Sequence, residues 1–361
     1  MSLNLLIVED DKDTIQSYKD RIDIYNMKKE TEITPKIVSN VSDAKVELKT
    51  PIFDAAIIDL KLTAGTPELD GINVIDDILN DLRIPVFVVS GSIGQYTKEE
   101  TPLFKKKNRD GSFDDILKEI VEIYKTGITK ILGNKGIIDK YLQTIFWCHL
   151  SNTIDLWKND KFRTDDEKEK SLLRYTLHHM QEYLDDDIEK YHPSEFYIAK
   201  PIKNDISTGD IVSAGNERFV IITPSCDMVL RGPNERNADF VHFCKIKDLM
   251  DVVKNYSRLN STTSASNSDR VRLTGFIENK NQRYHFIPKS NYINAGLIDF
   301  QDKITISTEQ LNKYLKQNSL ERIATISTPF LKDIISRSSN YFSRQGSPDF
   351  IVDQVYNDLF S

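Results

Sequence analysis

Three short apolar runs in the first hundred residues each end at a polar side chain. Residues 5–8 lead into Glu9 and Asp10, residues 55–58 lead into Asp59, and residues 86–89 lead into Ser90. Continuous runs of branched residues at strand length are typical of strands buried on both faces of a parallel sheet. Because ligands bind where parallel strands end at their carboxyl edge, we expect these four polar residues to converge there.

Helical spacing alternates with these strands over residues 1–125. The pattern predicts further strands over residues 36–38 and 101–106, and helices over 11–25, 41–48, 71–82 and 112–124. Such alternation predicts an α/β fold with a doubly wound five-stranded parallel sheet and right-handed crossovers.

Residues 126–192 differ, because they carry two apolar stripes at helical spacing with polar residues between them. The first stripe runs from Ile138 to Leu156 and the second from Leu173 to Ile188, with Thr164 as a candidate cap. This pattern predicts a helical hairpin. Each stripe needs a partner, which is either a second copy in a homodimer or another part of the same chain.

Two adjacent histidines, His178 and His179, lie in the second predicted helix. A histidine on a helical hairpin would suit phosphotransfer within the chain. The interpretation that we favour is structural, with both histidines facing solvent or with one packed and one exposed.

From residue 193 the period changes to that of short strands with tight turns. Apolar or alternating runs cover residues 195–198, 209–212, 218–223, 240–246, 270–277, 283–288 and 297–306. They predict a small antiparallel barrel or sandwich. A C-terminal helix should follow, with Thr328 as its cap and Pro329 in its first turn.

The composition is ordinary for a globular protein. The 361 residues are 39% hydrophobic and 29% charged, and this length predicts two or three domains. No apolar run approaches the ~20 residues that cross a bilayer, and no signal peptide is evident, so we predict a cytoplasmic location without membrane contact. Three cysteines without paired spacing indicate reduced thiols.

Charge is distributed unevenly along the chain. Residues 1–125 contain 24 acidic and 17 basic residues, whereas the whole chain contains 55 and 48. The remainder is therefore neutral, with 31 of each. A neutral remainder lacks the basic footprint of a DNA-binding output domain, which disfavours nucleic acid as a partner.

Several carboxylates at one sheet edge repel each other unless a cation lies between them. Mg²⁺ prefers oxygen and is typically held by one or two carboxylates together with waters and a phosphate. This arrangement suits phosphoryl transfer, in which the protein mainly positions groups and neutralises charge. Asp59 is then a candidate nucleophile, and Ser90 with Lys106 or a neighbouring lysine would bind the phosphoryl oxygens.

In this order and spacing the motifs of residues 1–125 resemble the response-regulator receiver domain. The matching pieces are residues 6–11, 58–62, 69–72, 88–91 and 103–106. The resemblance implies that Asp59 is the phospho-acceptor and that Ser90 is the hydroxyl that moves toward the phosphoryl group. It also implies a Mg²⁺ site with Asp10 as a direct ligand, Glu9 as a ligand through water and the Lys61 carbonyl as a third ligand.

The sequence departs from the family pattern at three places. The family usually has a proline after its lysine, whereas here Lys105, Lys106 and Lys107 precede Asn108, and the offset favours Lys106. Leu103 or Phe104 takes the place of the family's switch aromatic. Residues 63–68 are an insertion after Asp59, which predicts a loop remodelled for a partner.

The C-terminal part weakly resembles SH3-like barrels of poorly characterised bacterial defence-associated proteins, over about residues 195–350. Cys226 lies near Asp227 and His242 in sequence, which allows a nucleophile hypothesis, although a buried structural cysteine is commoner. Cys226, His242 and Cys244 could also bind zinc, but they lack the paired spacing and the fourth ligand of structural zinc sites.

Together these patterns predict a receiver domain over residues 1–125, a helical hairpin linker or dimerisation element over 126–192, and a β-rich SH3-like barrel domain with a C-terminal helix over 193–361. The predicted function is a non-enzymatic response regulator of a two-component phosphorelay. Its partners would be a sensor histidine kinase or phosphotransfer protein and a downstream protein effector. The alternatives are a phosphate sink that buffers a kinase in bacterial antiviral defence signalling, and a DNA-binding transcriptional regulator.

Overall fold

The computed structural model describes residues 2–28, 31–50, 52–62, 70–91, 93–184, 190–231, 235–260, 266–344 and 348–361. The chain divides into two compact units, Met1–Ile188 and Glu189–Ser361. The helices predicted for a separate linker therefore belong largely to the first unit. No described helix has the length and apolar character needed to cross a membrane.

The first unit contains a five-stranded parallel sheet, as predicted. Its strands are β1 (Ser2–Val8), β2 (Glu32–Val38), β3 (Ala55–Ile58), β4 (Val86–Ser90) and β5 (Phe104–Asn108), in the order β2-β1-β3-β4-β5. Four helices alternate with them: α1 (Lys12–Lys28), α2 (Val41–Leu48), α3 (Gly71–Asp81) and α4 (Phe113–Lys125). This is a doubly wound order, in which β2 is added on one side of β1 and β3 to β5 follow on the other side, so the strand order reverses between β1 and β3.

The apolar runs form the central strands because both faces of the sheet are covered. Side chains of one face, including Ile7 and Phe87, pack with α1 and α4. Those of the other face, including Val8 and Ile58, pack with α2 and α3. Each strand therefore buries consecutive residues, which explains the absence of alternation in the sequence.

The connection between β4 and β5 carries a 3₁₀ turn over Ile93–Gln95, and no α-helix lies among its described residues. Pro102 lacks an N–H and restricts Thr101 to an extended conformation, which disfavours a helix here. Thr101 and Phe104 exchange two backbone hydrogen bonds across a turn, and the Glu100 carboxylate accepts the N–H of Lys106 at 2.8 Å. The fifth strand consequently begins at Phe104 rather than at residue 101.

The helical part of the first unit is more segmented than the predicted hairpin. It comprises α5 (Ile128–Leu132), α6 (Ile137–Thr144), a π-helix (Ile145–Leu150), α7 (Ile154–Lys158) and α8 (Asp165–Glu182). Gly133 and Gly136 interrupt the first arm, and at both a Cβ would overlap backbone carbonyls. Thr164 caps α8 through a capping box with Glu167, as the sequence predicted.

The helical segment packs against the sheet of the same unit. The Thr129 hydroxyl donates to Asp54 at 3.2 Å, and the Arg83 guanidinium contacts Asp139 at 3.7 Å. His178 is exposed, whereas His179 is half-buried and bonds the Tyr175 carbonyl through Nδ1 at 2.9 Å. One histidine is thus packed and the other exposed, one of the two structural arrangements that we expected.

The second unit contains a mainly antiparallel sheet of seven strands. They are β6 (Tyr197–Ala199), β7 (Asp210–Ala214), β8 (Glu217–Ile221), β9 (Phe240–Asp248), β10 (Tyr284–Ile287), β11 (Gly296–Ser307) and β12 (Glu321–Ile326), in the order β10-β11-β9-β8-β7-β12-β6. The predicted hairpin at Gly215-Asn216 joins β7 to β8, with Gly215 at φ +60°. The mainly β character is confirmed, whereas the likeness to an SH3 barrel finds no support in the described strand pairings.

The described residues of this unit also form the α-helices α9 (Ser225–Met228), α10 (Leu249–Val252), α11 (Asn267–Ile277), α12 (Thr308–Lys316), α13 (Thr328–Ser343) and α14 (Val352–Phe360). The strand predicted over residues 270–277 is wrong, because this segment is α11. Its start is set by the Ser266 side chain, which accepts the N–H of Asp269. The C-terminal helix α13 begins where predicted, but its cap is Ser327 rather than Thr328.

Candidate phosphoryl-transfer site

The acidic residues meet at the carboxyl edge of the first sheet because strand register aligns their strands. β1 and β3 pair Val8 with Ile58, and the Asp59 N–H donates to the Val8 carbonyl at 2.9 Å. Glu9 and Asp10 are the two residues after β1, and Asp59 is the first residue after β3. One carboxylate oxygen of each lies within 4.8 Å of the others. The predicted convergence is therefore present in the structure.

Burial gives this cluster unusual electrostatics. Glu9 and Asp59 are only 1% and 3% exposed, whereas Asp10 is half-buried. Burial raises the pKa of Glu9 to about 7, and the charges of Asp59 and Asp10 add to the effect, while the Asp11 N–H and Arg109 oppose it. Burial also raises the pKa of Asp10. Three adjacent carboxyl groups thus favour a cation between them.

Arg109 is the cation that lies in this cluster, and it was not among the predicted site residues. Its Nη2 donates to Asp59 Oδ2 at 2.5 Å and to the two carboxylate oxygens of Glu9 at 3.0 and 3.2 Å. The register of β4 and β5 pairs Ser90 with Asn108. Arg109 is therefore the first residue beyond the strand end, level with the acidic edge.

The predicted lysine has a different location. Lys106 lies two residues before the strand end, and its Nζ donates to the Tyr96 carbonyl at 3.1 Å. Lys105 and Lys107 face the opposite side of the sheet, where both contact Glu119 of α4. Alternation along β5 explains this division, because successive side chains point to opposite faces. The pattern of β5 gave no signal for Arg109, because a run of three lysines does not show where this edge strand ends.

The remaining predicted residues lie near the same edge. Ser90 is buried at the carboxyl end of β4. Lys61 follows Asp59 by two residues, and the insertion at residues 63–68 lies outside the described part of the chain. Of the two residues in the place of the family's switch aromatic, Leu103 is exposed but not aromatic. Phe104 is aromatic but buried in the core.

Gly71 has a direct steric role beside the acceptor. A Cβ at this position would lie 2.0 Å from the Asp59 carbonyl oxygen, and the Gly71 N–H donates to the Leu60 carbonyl at 3.0 Å. The start of α3 therefore packs directly against the backbone of Asp59, which requires glycine.

The cluster fits a magnesium ion. Asp59 Oδ1 is buried and has no hydrogen-bond partner among the described residues, and an unsatisfied buried oxygen is costly unless a cation or donor reaches it. Carboxylate oxygens are the ligands that Mg²⁺ prefers. The residues that would hold it are Asp10, Asp59 and Glu9.

The cysteine and zinc hypotheses receive no support. Among the described residues, only the side chains of the acidic cluster lie close enough together to bind a metal ion. Cys226 is exposed beside Asp227, and His242 Nδ1 bonds the Thr305 hydroxyl at 2.9 Å. Burial raises the pKa of the Cys244 thiol to about 12, which leaves it protonated and inert.

Comparison with known proteins gives a likeness of fold alone. No protein-family model and no curated protein matches the sequence. Among solved structures, a CheY-like receiver domain from Methylobacillus flagellatus is 23% identical, with a TM-score of 0.27, and the match covers 33% of this chain and 99% of that one. A two-component response regulator from Clostridium difficile is 16% identical, with a TM-score of 0.27 over 34% and 96% of the two chains.

A third similar structure is a two-component transcriptional regulator AraC from Clostridium phytofermentans, which is 21% identical. Its TM-score is 0.27, and the match covers 36% of this chain and 99% of that one. The strand order of the first sheet and the placement of Glu9, Asp10 and Asp59 at its carboxyl edge are those expected from the sequence motifs. On these features, the N-terminal third of this chain, which comprises β1 to β5 and the helices α1 to α4, has the fold of a response-regulator receiver domain.

Proposed function

We propose that the chain is a response regulator that accepts a phosphoryl group on Asp59 from a phosphohistidine of a sensor kinase or phosphotransfer protein. The observation that carries this proposal is the position of Asp59. It is a buried carboxylate at the end of β3, between two further acids and a guanidinium that bonds it directly. Such a site neutralises charge on both sides of a transferred phosphoryl group.

The proposed step is a displacement at phosphorus. A carboxylate oxygen of Asp59 attacks the phosphorus and forms an acyl phosphate, while the P–N bond breaks and its electron pair returns to the imidazole nitrogen. The donor ring, protonated on its other nitrogen, leaves as neutral histidine. Attack by water later releases inorganic phosphate and restores the carboxylate.

The chain supplies two groups that would bind the transferred oxygens. Arg109 already bonds Asp59 Oδ2, and its guanidinium has a planar fork of donors that suits phosphoryl oxygens. Ser90 is buried at the end of the neighbouring strand. A divalent cation bound by the acids would neutralise part of the charge of about −1.5 to −2 that phosphorylation adds.

We assign the phosphoryl-binding cation to Arg109 in place of the sequence-based choice, Lys106. The Nζ of Lys106 donates a hydrogen bond to the Tyr96 carbonyl rather than to Asp59. Its backbone N–H is bonded to Glu100, which fixes the strand at that point. Arg109 needs no such rearrangement to reach the acceptor.

The output that we propose for the second unit is protein interaction. Its C-terminal segment, residues 348–361, is exposed throughout, and its large apolar side chains include Phe350, Tyr356, Leu359 and Phe360. Its charged side chains, Asp349, Asp353 and Asp358, are all acidic. Exposed apolar side chains at helical spacing are typical of helices that dock into a partner's groove, whereas an acidic segment disfavours DNA.

Labelling with a small phosphodonor tests the assignment of Asp59. The full chain, incubated with acetyl phosphate and Mg²⁺, should acquire one phosphoryl group that is labile to alkali and hydroxylamine and that is absent in D59N. D81N, which changes an exposed acid near the end of α3, is the matched control and should label normally. Equal labelling of D59N and the wild-type chain would remove the proposal.

Hydrogen exchange separates an output from a phosphate sink. If phosphorylation signals to the second unit, amide exchange should change in residues 190–361 when acetyl phosphate is added. A sink needs no such response, so changes confined to residues 2–184 would favour the sink.

A further inference from the structure

Arg109 and a metal ion would need the same oxygens. The guanidinium Nη2 bonds Asp59 Oδ2 and both carboxylate oxygens of Glu9. Glu9 and Asp59 are also two of the three residues whose oxygens cluster closely enough to hold a cation. Two of the three candidate ligands are therefore already occupied by a positive charge of the chain itself.

The two cations cannot share these oxygens without strong repulsion. Mg²⁺ binds oxygen at about 2.0–2.1 Å and requires near-octahedral geometry. A guanidinium nitrogen that stays within 2.5–3.2 Å of the same oxygens would lie a few ångströms from the metal. At such a separation like charges in a buried site oppose each other strongly.

The structure also leaves two ligands outside the reach of Arg109. Asp59 Oδ1 is buried without a hydrogen-bond partner in the described chain. The hydrogen bonds and ion pairs that the structure describes for Arg109 go to Glu9 and Asp59 and not to Asp10, although the Asp10 carboxylate lies in the cluster. The cluster is thus divided: Glu9 and Asp59 Oδ2 are bonded to the arginine, whereas Asp10 and Asp59 Oδ1 have no described hydrogen bond to it.

We propose that Arg109 is a competing counter-ion, so that a divalent cation binds only when the guanidinium gives up Glu9. The inference deepens the proposed function and rests on it only in assuming that the acidic edge binds a divalent cation. When a metal is bound, the described contacts of the guanidinium would be reduced to Asp59, which is the residue that receives the phosphoryl group. The arginine therefore sets the metal affinity of the site and couples metal binding to its own position.

Local structure allows Arg109 to move. It lies in the short connection between β5 and α4, followed by Asp110 and Gly111, and its side chain is 34% exposed. Its Nε has no partner among the described residues, and the described hydrogen bonds of its guanidinium all go to the two carboxylates. Releasing Glu9 would therefore break no other contact of the guanidinium that the structure describes.

Metal titration of the full chain tests this inference without any phosphodonor. The Kd for Mg²⁺, and for Mn²⁺ as a second probe, would be measured by calorimetry for the wild-type chain, R109Q, R109K and K107Q. We expect R109Q to bind both ions at least about tenfold more tightly than the wild-type chain. R109K keeps the positive charge but lacks the planar set of guanidinium donors. Its Kd for each ion should lie between those of R109Q and the wild-type chain.

K107Q removes the same charge two residues earlier in the chain, from β5, where Lys107 contacts Glu119, and it should bind the metal like the wild-type chain. Unchanged or weaker binding by R109Q would overturn the inference, as would equal tightening in K107Q. If R109Q fails to fold, as judged by its melting curve, R109K decides the question: tighter binding supports competition, and unchanged or weaker binding overturns it.

The outcome is separable from that of the proposed function. Tighter metal binding by R109Q together with no labelling of Asp59 would support the inference and reject the phosphoryl-acceptor proposal. Normal labelling of Asp59 together with unchanged metal binding by R109Q would support the phosphoryl-acceptor proposal and reject the competition between Arg109 and the metal.

Discussion

Arg109 Nη2 lies 2.5 Å from Asp59 Oδ2, although the two residues are 50 positions apart in the chain. The contact joins the end of β3 to the residue that follows β5, across the intervening strand β4. It places a permanent positive charge on the carboxylate that we propose as the phosphoryl acceptor.

The first prediction concerns the rate of phosphorylation. R109Q should label with acetyl phosphate about 100-fold more slowly than the wild-type chain at saturating Mg²⁺, because it loses a donor aimed at the transferred oxygens. R109K should retain part of the rate. Labelling kinetics on Phos-tag gels would measure both, and a rate for R109Q within threefold of the wild-type rate would show that the guanidinium does not contact the phosphoryl group.

The second prediction distinguishes the two candidate cations. K106Q should label within about twofold of the wild-type rate, because Lys106 bonds the Tyr96 carbonyl rather than the acidic cluster. Its free energy of unfolding should fall by about 0.5–1.5 kcal/mol, the usual value of one hydrogen bond. A large loss of labelling in a folded K106Q would return the phosphoryl-binding role to the lysine.

The third prediction concerns Gly71. G71A should destabilise the first unit by about 1–3 kcal/mol, because the added methyl group would overlap the Asp59 carbonyl at 2.0 Å and force the backbone to shift. It should also slow labelling, since the same shift displaces Asp59. G91A is the matched control, because nothing lies within 4 Å of a Cβ there, and its urea midpoint should stay close to that of the wild-type chain.

The fourth prediction concerns a buried ion pair in the second unit. Asp299 is fully buried in β11 and accepts two hydrogen bonds from Arg283, at 2.8 and 2.6 Å. Burial raises the pKa of Asp299, but the bonds from Arg283 and from the Gln301 N–H together lower it below its usual value. R283Q would leave a buried carboxylate without its charge partner and should cost about 3 kcal/mol, the lower end of the usual range because Arg283 is partly exposed.

The pH dependence of this effect has a definite sign. A carboxyl whose pKa is depressed by folding contributes stability above its unfolded pKa of about 3.9, and the contribution is lost as pH falls through the folded value. The difference in unfolding free energy between the wild-type chain and R283Q should therefore be largest near neutral pH and shrink as the pH falls, because the buried Asp299 carboxyl without Arg283 takes up a proton at higher pH than in the wild-type chain. Urea unfolding at several pH values would measure it, and a difference that grows toward low pH would contradict the assignment.

Much of the first unit could be predicted from the sequence because its strands are buried on both faces. That constraint makes 5–8, 55–58 and 86–89 uninterrupted apolar runs, and the residue after each run is then forced to the sheet edge. The grouping of Glu9, Asp10 and Asp59 follows from this geometry. Arg109 was missed because β5 is an edge strand with three lysines, so its pattern does not mark where it ends.

The second unit was harder because local patterns there are ambiguous. Residues 270–277 contain Val271, Leu273 and Phe276, a spacing that fits a strand nearly as well as a helix. Helix α11 forms because the Ser266 cap and the packing of Leu273 and Phe276 on their neighbours decide the matter. Such tertiary contacts override local preference and are not visible in the sequence.

The segment that precedes β5 has a consequence for self-association. β5 is the outermost strand of its sheet, and the outward N–H groups of Phe104 and Lys106 are already bonded to Thr101 and to the Glu100 carboxylate. An incoming strand would have to break both bonds before it could extend the sheet. The hydrogen bonds of this segment thus protect the sheet edge against edge-to-edge β-pairing. Two copies of the chain that associate at β5 would have to do so through side chains rather than through a shared backbone ladder.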